Sequence, residues 1–278
     1  MTMAPHQAGP AGPETHTGPA LHADALTVQF GGLIAVNGVS FTIPRYGIVS
    51  LIGPNGAGKT TFFNALTGLY KLASGQVLLD GRNITGLPPH KIAARGMART
   101  FQNIRLFGLM TAEENVKVAM HGHLKSGVFS TILRLPWQRK EERAAHDEAL
   151  ELLDFVGVSK AAGEYARNLS YGDQRRLEVA RALALRPSVL LLDEPTAGMN
   201  PRESAIFTEF VHRVRDEKKV SILLIEHDMS VVMRVSERIT VLDRGEMIAE
   251  GGPEDIRSNE RVIEAYLGKS GTEASRDR

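Results

Sequence analysis

The residues with the clearest chemical capacity form one glycine-rich stretch, Gly53-Pro54-Asn55-Gly56-Ala57-Gly58-Lys59-Thr60. It matches the G-x-x-x-x-G-K-[ST] pattern completely, follows the apolar run Ile48 to Ile52 and opens a predicted helix. Glycines carry no Cβ and therefore let backbone N–H groups approach phosphate oxygens closely. Lys59 supplies a positive charge for the β- and γ-phosphates, and the Thr60 hydroxyl is suited to bind Mg²⁺. The stretch predicts a nucleoside triphosphate site rather than a structural turn.

Two neighbouring carboxylates, Asp193 and Glu194, follow the apolar run Val189 to Leu192. If that run is a strand of a parallel sheet, the carboxylates emerge at the edge of the sheet where ligands bind. Asp193 is predicted to hold Mg²⁺, directly or through water, and Glu194 to polarise the water that attacks the phosphate. Asp-Glu pairs are common on surfaces, but the apolar run before this pair and Pro195 after it favour a catalytic role.

Three further residues are less specific when considered alone. His227 follows the next apolar run, Val220 to Ile225, and at the same sheet edge its imidazole could hydrogen-bond the γ-phosphate or orient Glu194. Elementary chemistry assigns no role to Gln102. Phe30 either stacks on adenine or fills the core, and both alternatives stay open at this point.

The segment Leu169-Ser170-Tyr171-Gly172-Asp173 fits the S-x-x-[DE] pattern that caps a helix. The predicted helix continues through about Leu185 and is stopped by Pro187. A helix N-terminus with Gly172 open to close approach is suited to bind an anion. Because a carboxylate would repel that anion, we predict that Asp173 faces the cap instead.

The elements that must position these residues fall into three segments. Leu26 to about Pro89 alternates short apolar runs with glycine turns, which is typical of strands. His90 to Asn168 is helical in pattern, and Glu141 to Val156 places apolar residues on one helix face. After Asn168 strands and helices alternate, with a crossover helix predicted over Arg202 to Lys218. The pattern predicts an α/β nucleotide-binding core interrupted by a helical subdomain.

Composition narrows the possible classes of protein. The 278 residues contain 33 Lys and Arg and 32 Asp and Glu, a balance that disfavours nucleic acid as the main partner. There is no cysteine, which excludes disulfides and fits a reducing compartment. No apolar run is long enough to span a bilayer, so we expect any connection to a membrane to run through another protein. The first 20 or so residues lack the features of a signal peptide and predict a disordered tail.

In their order along the chain, these motifs resemble those of the ATP-binding-cassette ATPases from about Leu26 to Gly252. The resemblance implies a P-loop NTPase core with an antiparallel β subdomain and an inserted α-helical subdomain. It implies ATP and Mg²⁺ as cofactors. It also implies that Gln102 senses Mg²⁺, that His227 is the switch histidine and that Phe30 stacks on adenine.

The resemblance sorts the candidate residues by role. The implied catalytic residues are Glu194, His227 and Lys59. The implied metal ligands are Thr60, Gln102 and Asp193. The implied nucleotide-binding residues are Gly53, Pro54, Asn55, Gly56, Ala57, Gly58, Lys59, Thr60, Thr61, Phe30, Gln102, Ser170 and Gly172.

The chain departs from the family pattern at Tyr171 and Asp173, within the segment usually written LSGGQ, and at Asn200, where aspartate is usual. The Tyr171 form nevertheless resembles branched-chain amino-acid importer ATPases of the LivG type. So do the segments Arg99-Thr100-Phe101-Gln102 and Ala197-Gly198-Met199-Asn200-Pro201, and the ending Val262 to Gly268. The segment from His121 to Glu142 is also similar to that type.

This closer resemblance implies a subunit bound at the cytoplasmic face of the cell membrane. The implied partners are a second, paralogous ATPase subunit, two membrane permeases and, indirectly, a periplasmic binding protein, with no nucleic acid. The implied divisions are a disordered tail (1–22), an ATPase domain (23–253) with its helical subdomain at about 90–168, and a C-terminal extension (254–278). Alternatives are the ATPase of a urea/amide importer or lipopolysaccharide exporter, a soluble cassette protein without a permease, or a regulator that binds nucleotide without turnover.

Overall fold

A computed structural model of the chain describes residues 18–120 and 136–273. Residues 1–17 of the predicted tail, residues 121–135 and residues 274–278 lie outside the described residues. The first strand already begins at Leu21, so the predicted start of the folded domain at residue 23 is two residues too late. The alternation of buried and exposed side chains along this strand fixes Leu21 and Ala23 on the buried face.

The described strands form two sheets. A six-stranded sheet has the order β10-β9-β3-β8-β7-β6, in which all neighbours are parallel except β9 and β10. A four-stranded antiparallel sheet has the order β2-β1-β4-β5. The strands are β1 (Leu21–Phe30), β2 (Leu33–Ile43), β3 (Ile48–Ile52), β4 (Ser74–Leu79), β5 (Arg82–Asn83), β6 (Met97–Arg99), β7 (Val189–Asp193), β8 (Ser221–Ile225), β9 (Arg238–Asp243) and β10 (Glu246–Gly251).

The three central strands β3, β7 and β8 are buried along their whole length. Strands covered on both faces need continuous apolar sequence, which is why these runs were readable as strands. The parallel register pairs Asp193 with Ile225, so β7 and β8 end side by side. The groups that follow these strands therefore emerge at one edge of the sheet.

The helices of eight or more residues lie on both sides of this sheet or beside it. The helices are α1 (Lys59–Leu66), α2 (Pro89–Ala93), α3 (Ala112–Met120), α4 (Pro136–Phe155), α5 (Tyr171–Leu183), α6 (Pro201–Lys218), α7 (Met229–Val235), α8 (Pro253–Arg257) and α9 (Glu260–Glu273). Helix α6 is the predicted crossover between β7 and β8. No helix among the described residues is both long and apolar enough to cross a membrane.

The segment predicted to be helical from about residue 90 begins with helix α2 but also contains a strand of the main sheet. Strand β6 lies inside that range and pairs in parallel with β7, Met97 with Val189 and Arg99 with Leu191. A strand of three residues has too few positions to show a period, so only its partner identifies it. The helical part follows β6, and its described helices are α3 and α4, which pack against α5.

The helical part shares one hydrophobic core with the main sheet. The same cluster of buried side chains contains Val116 of α3, Leu153 of α4 and Leu177 of α5, together with Leu192 and Leu224 of the sheet. The helices are thus anchored on one face of the nucleotide-binding core. The opposite face packs against α1 and the four-stranded sheet.

Candidate active site

The glycine-rich loop connects the buried strand β3 to helix α1 and is held from two sides. A Cβ at Gly53, where φ is +149°, would lie 2.0 Å from the carbonyl oxygen of Leu242. A Cβ at Gly58, where φ is +99°, would lie 2.7 Å from the carbonyl oxygen of Ala35. Only glycine fits either position, because both the backbone conformation and the available space exclude a side chain.

Lys59, the first residue of α1, bends back over this loop. Its ammonium group donates to the carbonyl oxygens of Gly53 at 2.6 Å and Pro54 at 3.0 Å. The loop residues Asn55 and Gly56 and the neighbouring Thr60 are exposed. The positive charge of Lys59, the open loop and the N-terminus of α1 therefore converge on one place, as an anion site requires.

The C-terminal helix also reaches this loop. Tyr266 of α9 packs against a cluster of buried side chains that includes Ile52, the residue before the loop. Burial raises the pKa of the Tyr266 hydroxyl, although a hydrogen bond from the backbone N–H of Gly53 opposes the shift. Sequence reasoning did not identify this contact, because Tyr266 lies more than two hundred residues after the loop.

Glu194 lies at the centre of a three-residue cluster. Its carboxylate Oε2 accepts a 2.8 Å hydrogen bond from the side-chain amide of Gln102 and lies 3.8 Å from Nδ1 of His227. Its backbone is left-handed, with φ of +45°, a conformation that costs a non-glycine residue about 1 kcal/mol or more. The N–H of Glu194 is tied to the carbonyl oxygen of Ile225 at 2.9 Å, which helps to hold that conformation. The structure thus brings Gln102, Glu194 and His227 together from three segments.

A second carboxylate, that of Glu226, binds the backbone of His227. Glu226 is buried and accepts hydrogen bonds from the Thr196 backbone N–H at 2.9 Å and hydroxyl at 2.5 Å. Its Oε2 also accepts from the His227 backbone N–H at 3.1 Å. Asp228 on the other side of His227 caps α7 by accepting from the N–H of Ser230 at 2.8 Å. Sequence reasoning missed Glu226, although a carboxylate directly after an apolar strand was a usable signal.

Asp193, the predicted metal ligand, is buried and paired with Arg99. The guanidinium of Arg99 lies 2.8 Å from Oδ2 of Asp193, also donates to Asn64 at 2.6 Å, and stacks 4.6 Å from the centre of the Phe63 ring. This network fixes the carboxylate at the strand end. In the sequence, Arg99 stands out only as part of the segment Arg99-Thr100-Phe101-Gln102, and its ion pair with Asp193 was not predicted.

The side chains suited to bind a metal are the carboxylate of Asp193, the hydroxyl of Thr60 and the amide oxygen of Gln102, whose nitrogen donates to Glu194. No group of three or more His, Cys, Asp or Glu side chains suited to a metal exists among the described residues. That donor set matches Mg²⁺, which keeps waters and uses few protein oxygens together with phosphate oxygens. It does not match a closed site made by the protein alone.

The Phe30 ring is exposed at 46% and lies at the end of β1. Its centre is 5.1 Å from that of Tyr70, and the two rings are nearly perpendicular at 86°. The alternative that Phe30 fills the core was therefore wrong. Tyr70, which the sequence did not single out, holds the ring by an edge contact.

Ser170 is the N-cap of α5, as predicted. Its hydroxyl oxygen accepts from the backbone N–H of Asp173 at 3.2 Å and donates to the Asp173 carboxylate at 2.8 Å. The prediction that Asp173 faces the cap is thereby confirmed. Space beside Gly172 is open, since a Cβ there would meet no atom within 4 Å.

Asn200 has a local role at the start of α6. Its side chain accepts from the N–H groups of Arg202 and Glu203, both at 3.0 Å, and Glu203 accepts from the Asn200 N–H at 2.9 Å. This complete capping box holds the Asn200 side chain at the helix end.

Comparison with known proteins places this geometry in a family. The ABC transporter family model matches residues 36–197, and the model described as branched-chain amino acid ATP-binding cassette transporter matches residues 246–272. The chain is 49% identical over 252 residues to the high-affinity branched-chain amino acid transport ATP-binding proteins BraF of Pseudomonas aeruginosa and LivG of Escherichia coli. Each match covers 91% of this chain and 99% of the relative.

Solved structures agree with the sequence comparison. An ATP-binding cassette of an ABC transporter in its ADP conformation is similar, with a TM-score of 0.78 and 29% identity, covering 91% of this chain and 100% of that one. A nucleotide-free cassette gives a TM-score of 0.77 and 30% identity, covering 90% and 99%. The two sheets and the attached helices are thus an arrangement already known in solved cassettes.

Proposed function

The chain belongs to the ABC transporter family, and on that premise we propose that it is the ATP-hydrolysing subunit of an importer for branched-chain amino acids. The observation that carries the hydrolytic role is the contact of Glu194 with Gln102 and His227 at the sheet edge. The substrate class is supported by the names of the 49% identical relatives and by the match at residues 246–272. That C-terminal match favours this substrate over the urea/amide and lipopolysaccharide alternatives.

In this proposal the glycine-rich loop, with Thr61 beyond it, and Lys59 bind the phosphates of ATP, while Phe30 stacks on adenine. Thr60, Asp193 and Gln102 hold Mg²⁺, which neutralises the charge on the phosphate oxygens. Arg99 keeps the carboxylate of Asp193 at the strand end for this purpose.

Glu194 orients and polarises the attacking water, because it follows β7 at the sheet edge and its Oε2 is fixed by the Gln102 amide. His227 donates a hydrogen bond either to the γ-phosphate or to Glu194, and Glu226 fixes its backbone. Positioning and charge stabilisation then supply most of the catalysis, as is general for phosphoryl transfer.

We further propose that two ATPase subunits assemble head to tail, this chain with a paralogue. Ser170 caps this helix and the space beside Gly172 is open, so the helix end suits a γ-phosphate held by another subunit. The pair would lie at the cytoplasmic face of the cell membrane, bound to two permeases that a periplasmic binding protein serves. Residues 21–253 would form the ATPase domain and residues 254–278 its C-terminal extension.

The test of the hydrolytic role is Glu194→Gln, which keeps the size and one oxygen but removes the charge. We expect ATP binding to persist and phosphate release to fall by roughly 10²-fold or more, the range for a positioned general base. Glu217→Gln is the matched control, since this glutamate of α6 is exposed and forms a surface i,i+4 ion pair with the exposed Arg213. Hydrolysis at the wild-type rate by the Glu194 variant would show that the residue has been misassigned.

The test of the substrate class is uptake by cells that lack this chain. We expect uptake of radiolabelled leucine, isoleucine and valine to fall and to return when the wild-type chain, but not the Glu194→Gln chain, is restored. Unchanged uptake of all three amino acids would contradict the substrate while leaving the ATPase proposal intact.

A further inference from the structure

Tyr171 lies in the first turn of α5, between the two residues proposed to receive a phosphate, and its side chain is half exposed. Its hydroxyl donates to the carbonyl oxygen of Ala197 at 3.2 Å. The hydroxyl oxygen of Tyr171 also accepts from a terminal nitrogen of Arg175, one helical turn further on, at 3.2 Å. The Tyr171 hydroxyl therefore joins the loop after β7 to the guanidinium of Arg175 in α5.

Arg175 is buried, with 2% of its surface exposed, and it continues the connection. Its guanidinium donates to the carbonyl oxygen of Phe101 at 2.7 Å and to the carbonyl oxygen of Gln102. Glu178, 3.2 Å from the same guanidinium, accepts from the Phe101 N–H at 3.2 Å. Helix α5 thus supplies a donor, Arg175, and an acceptor, Glu178, to the backbone of the loop that carries Gln102.

These contacts form a closed ring of hydrogen bonds that passes through Glu194. Gln102 donates to Glu194 at 2.8 Å, and the N–H of Ala197 donates to the carbonyl oxygen of Glu194 at 3.2 Å. Tyr171 binds Ala197, and Arg175 binds Gln102. Displacement of the first turn of α5 must therefore move Ala197, Gln102 or both relative to Glu194.

We propose that Tyr171 and Arg175 are positioning residues that set the Gln102–Glu194 contact from the signature helix of the same subunit. The inference rests on the proposed ATPase function. Ser170 and Gly172 flank Tyr171, so a phosphate bound there by a partner acts on the turn that starts the ring. Binding of ATP at one composite site is thereby communicated to the catalytic glutamate of the other.

The first experiment measures hydrogen exchange in the full-length chain without nucleotide and needs no hydrolysis. Tyr171→Phe removes only the hydroxyl, and we expect exchange to be about threefold faster or more in peptides covering residues 99–107 and 194–200, because local protection depends on such contacts. Tyr165→Phe is the matched control, since Tyr165 is equally exposed (48% against 49%). Faster exchange confined to α5, or no change in either loop, would show that the Tyr171 hydroxyl does not connect the two loops and would overturn the proposal.

The second experiment measures steady-state hydrolysis by the complex isolated with the full chain. We expect Tyr171→Phe to lower kcat several-fold and to leave KM for ATP within about twofold. The reason is that the ring of hydrogen bonds includes Gln102 and Glu194 and is not built from residues of the glycine-rich loop. Arg175→Lys, whose head group cannot reach both carbonyl oxygens, should act in the same direction. A raised KM with unchanged kcat would overturn the proposal.

The two experiments separate two kinds of failure. Absence of hydrolysis by the wild-type complex would contradict the proposed function, and the exchange result would still decide whether Tyr171 joins the two loops. Faster exchange in both loops together with unchanged kcat would show that the bridge exists but does not position the catalytic pair, which also contradicts the proposal.

Discussion

The side-chain amide of Gln102 donates a 2.8 Å hydrogen bond to the carboxylate of Glu194, although the two residues lie 92 positions apart in the chain. The acceptor oxygen is also 3.8 Å from Nδ1 of His227. A carboxylate fixed in this way is oriented before substrate arrives, which reduces the reorganisation needed in the reacting state. Gln102 thus has a role in holding the catalytic base as well as its proposed role toward Mg²⁺.

Replacement of Gln102 by alanine should therefore act mainly on turnover. We expect Gln102→Ala to lower kcat roughly tenfold, because a misplaced base loses part of its positioning advantage, with a smaller loss of apparent ATP affinity. Gln76→Ala, at an exposed position of β4, is the control and should leave both values near wild type. Steady-state phosphate release against ATP concentration distinguishes the cases. A change in affinity alone would contradict an orienting role.

The Asp173 carboxylate points to the Ser170 hydroxyl at 2.8 Å and not toward the open space at Gly172. We therefore expect Asp173→Gln to change hydrolysis by less than about twofold, since a charge engaged at the cap acts mainly on the helix dipole. Ser170→Ala, which removes the cap itself, should by contrast lower the free energy of unfolding by about 1 kcal/mol. A several-fold gain in hydrolysis by Asp173→Gln would show that the carboxylate repels the nucleotide.

Asn200 should matter for stability through its capping box. Asn200→Ala is expected to lower the free energy of unfolding by about 1 kcal/mol and Tm by about 2–4 °C. Asn200→Asp keeps the two acceptor bonds and complements the helix dipole, so its Tm should stay near wild type. Thermal unfolding followed by circular dichroism tests both variants. Equal losses in the two variants would mean that the amide group makes another essential contact.

Stability should depend on pH through Glu178. Burial raises the pKa of this carboxyl above its ordinary value of 4.5, and hydrogen bonds from Phe101 and Arg105 and the charge of Arg175 only partly oppose the shift. The folded chain thus holds this proton more tightly than the unfolded chain. Its contribution to stability is complete below pH 4.5 and is lost as pH rises through the folded pKa.

Glu178→Gln removes that titration and tests the sign. We expect the wild-type chain to lose stability relative to this variant as pH rises from about 4.5, measured by denaturant unfolding at several pH values. Glu151→Gln, at an exposed position of α4, provides the comparison. If the difference between wild type and Glu178→Gln is independent of pH, burial does not control the Glu178 pKa.

Much of the core was predictable from the sequence, and the exceptions have different causes. Strands β3, β7 and β8 and helix α6 follow the predicted runs closely, because continuous burial and helix periodicity leave a direct trace in residue type. Strand β6 was not separated from the helical segment, because three residues show no period. The ion pair of Arg99 was missed because its partner Asp193 is distant in sequence, whereas Glu226 was missed although it directly follows an apolar strand.

The sequence by itself determined the local chemistry: the open glycine loop with Lys59, the carboxylates after a buried strand, and the cap that turns Asp173 away from Gly172. These depend on residues within a few positions of one another, where backbone geometry is fixed by residue type. The tertiary structure decided which groups meet. Parallel register aligns the ends of β7 and β8, which brings Glu194 to His227, and buried side chains such as Arg175 bind backbone carbonyl groups more than seventy residues away. Hydrogen bonds between a side chain and a distant backbone carbonyl group leave no local pattern in the sequence, because every residue has such an acceptor and only the fold determines which one lies within reach.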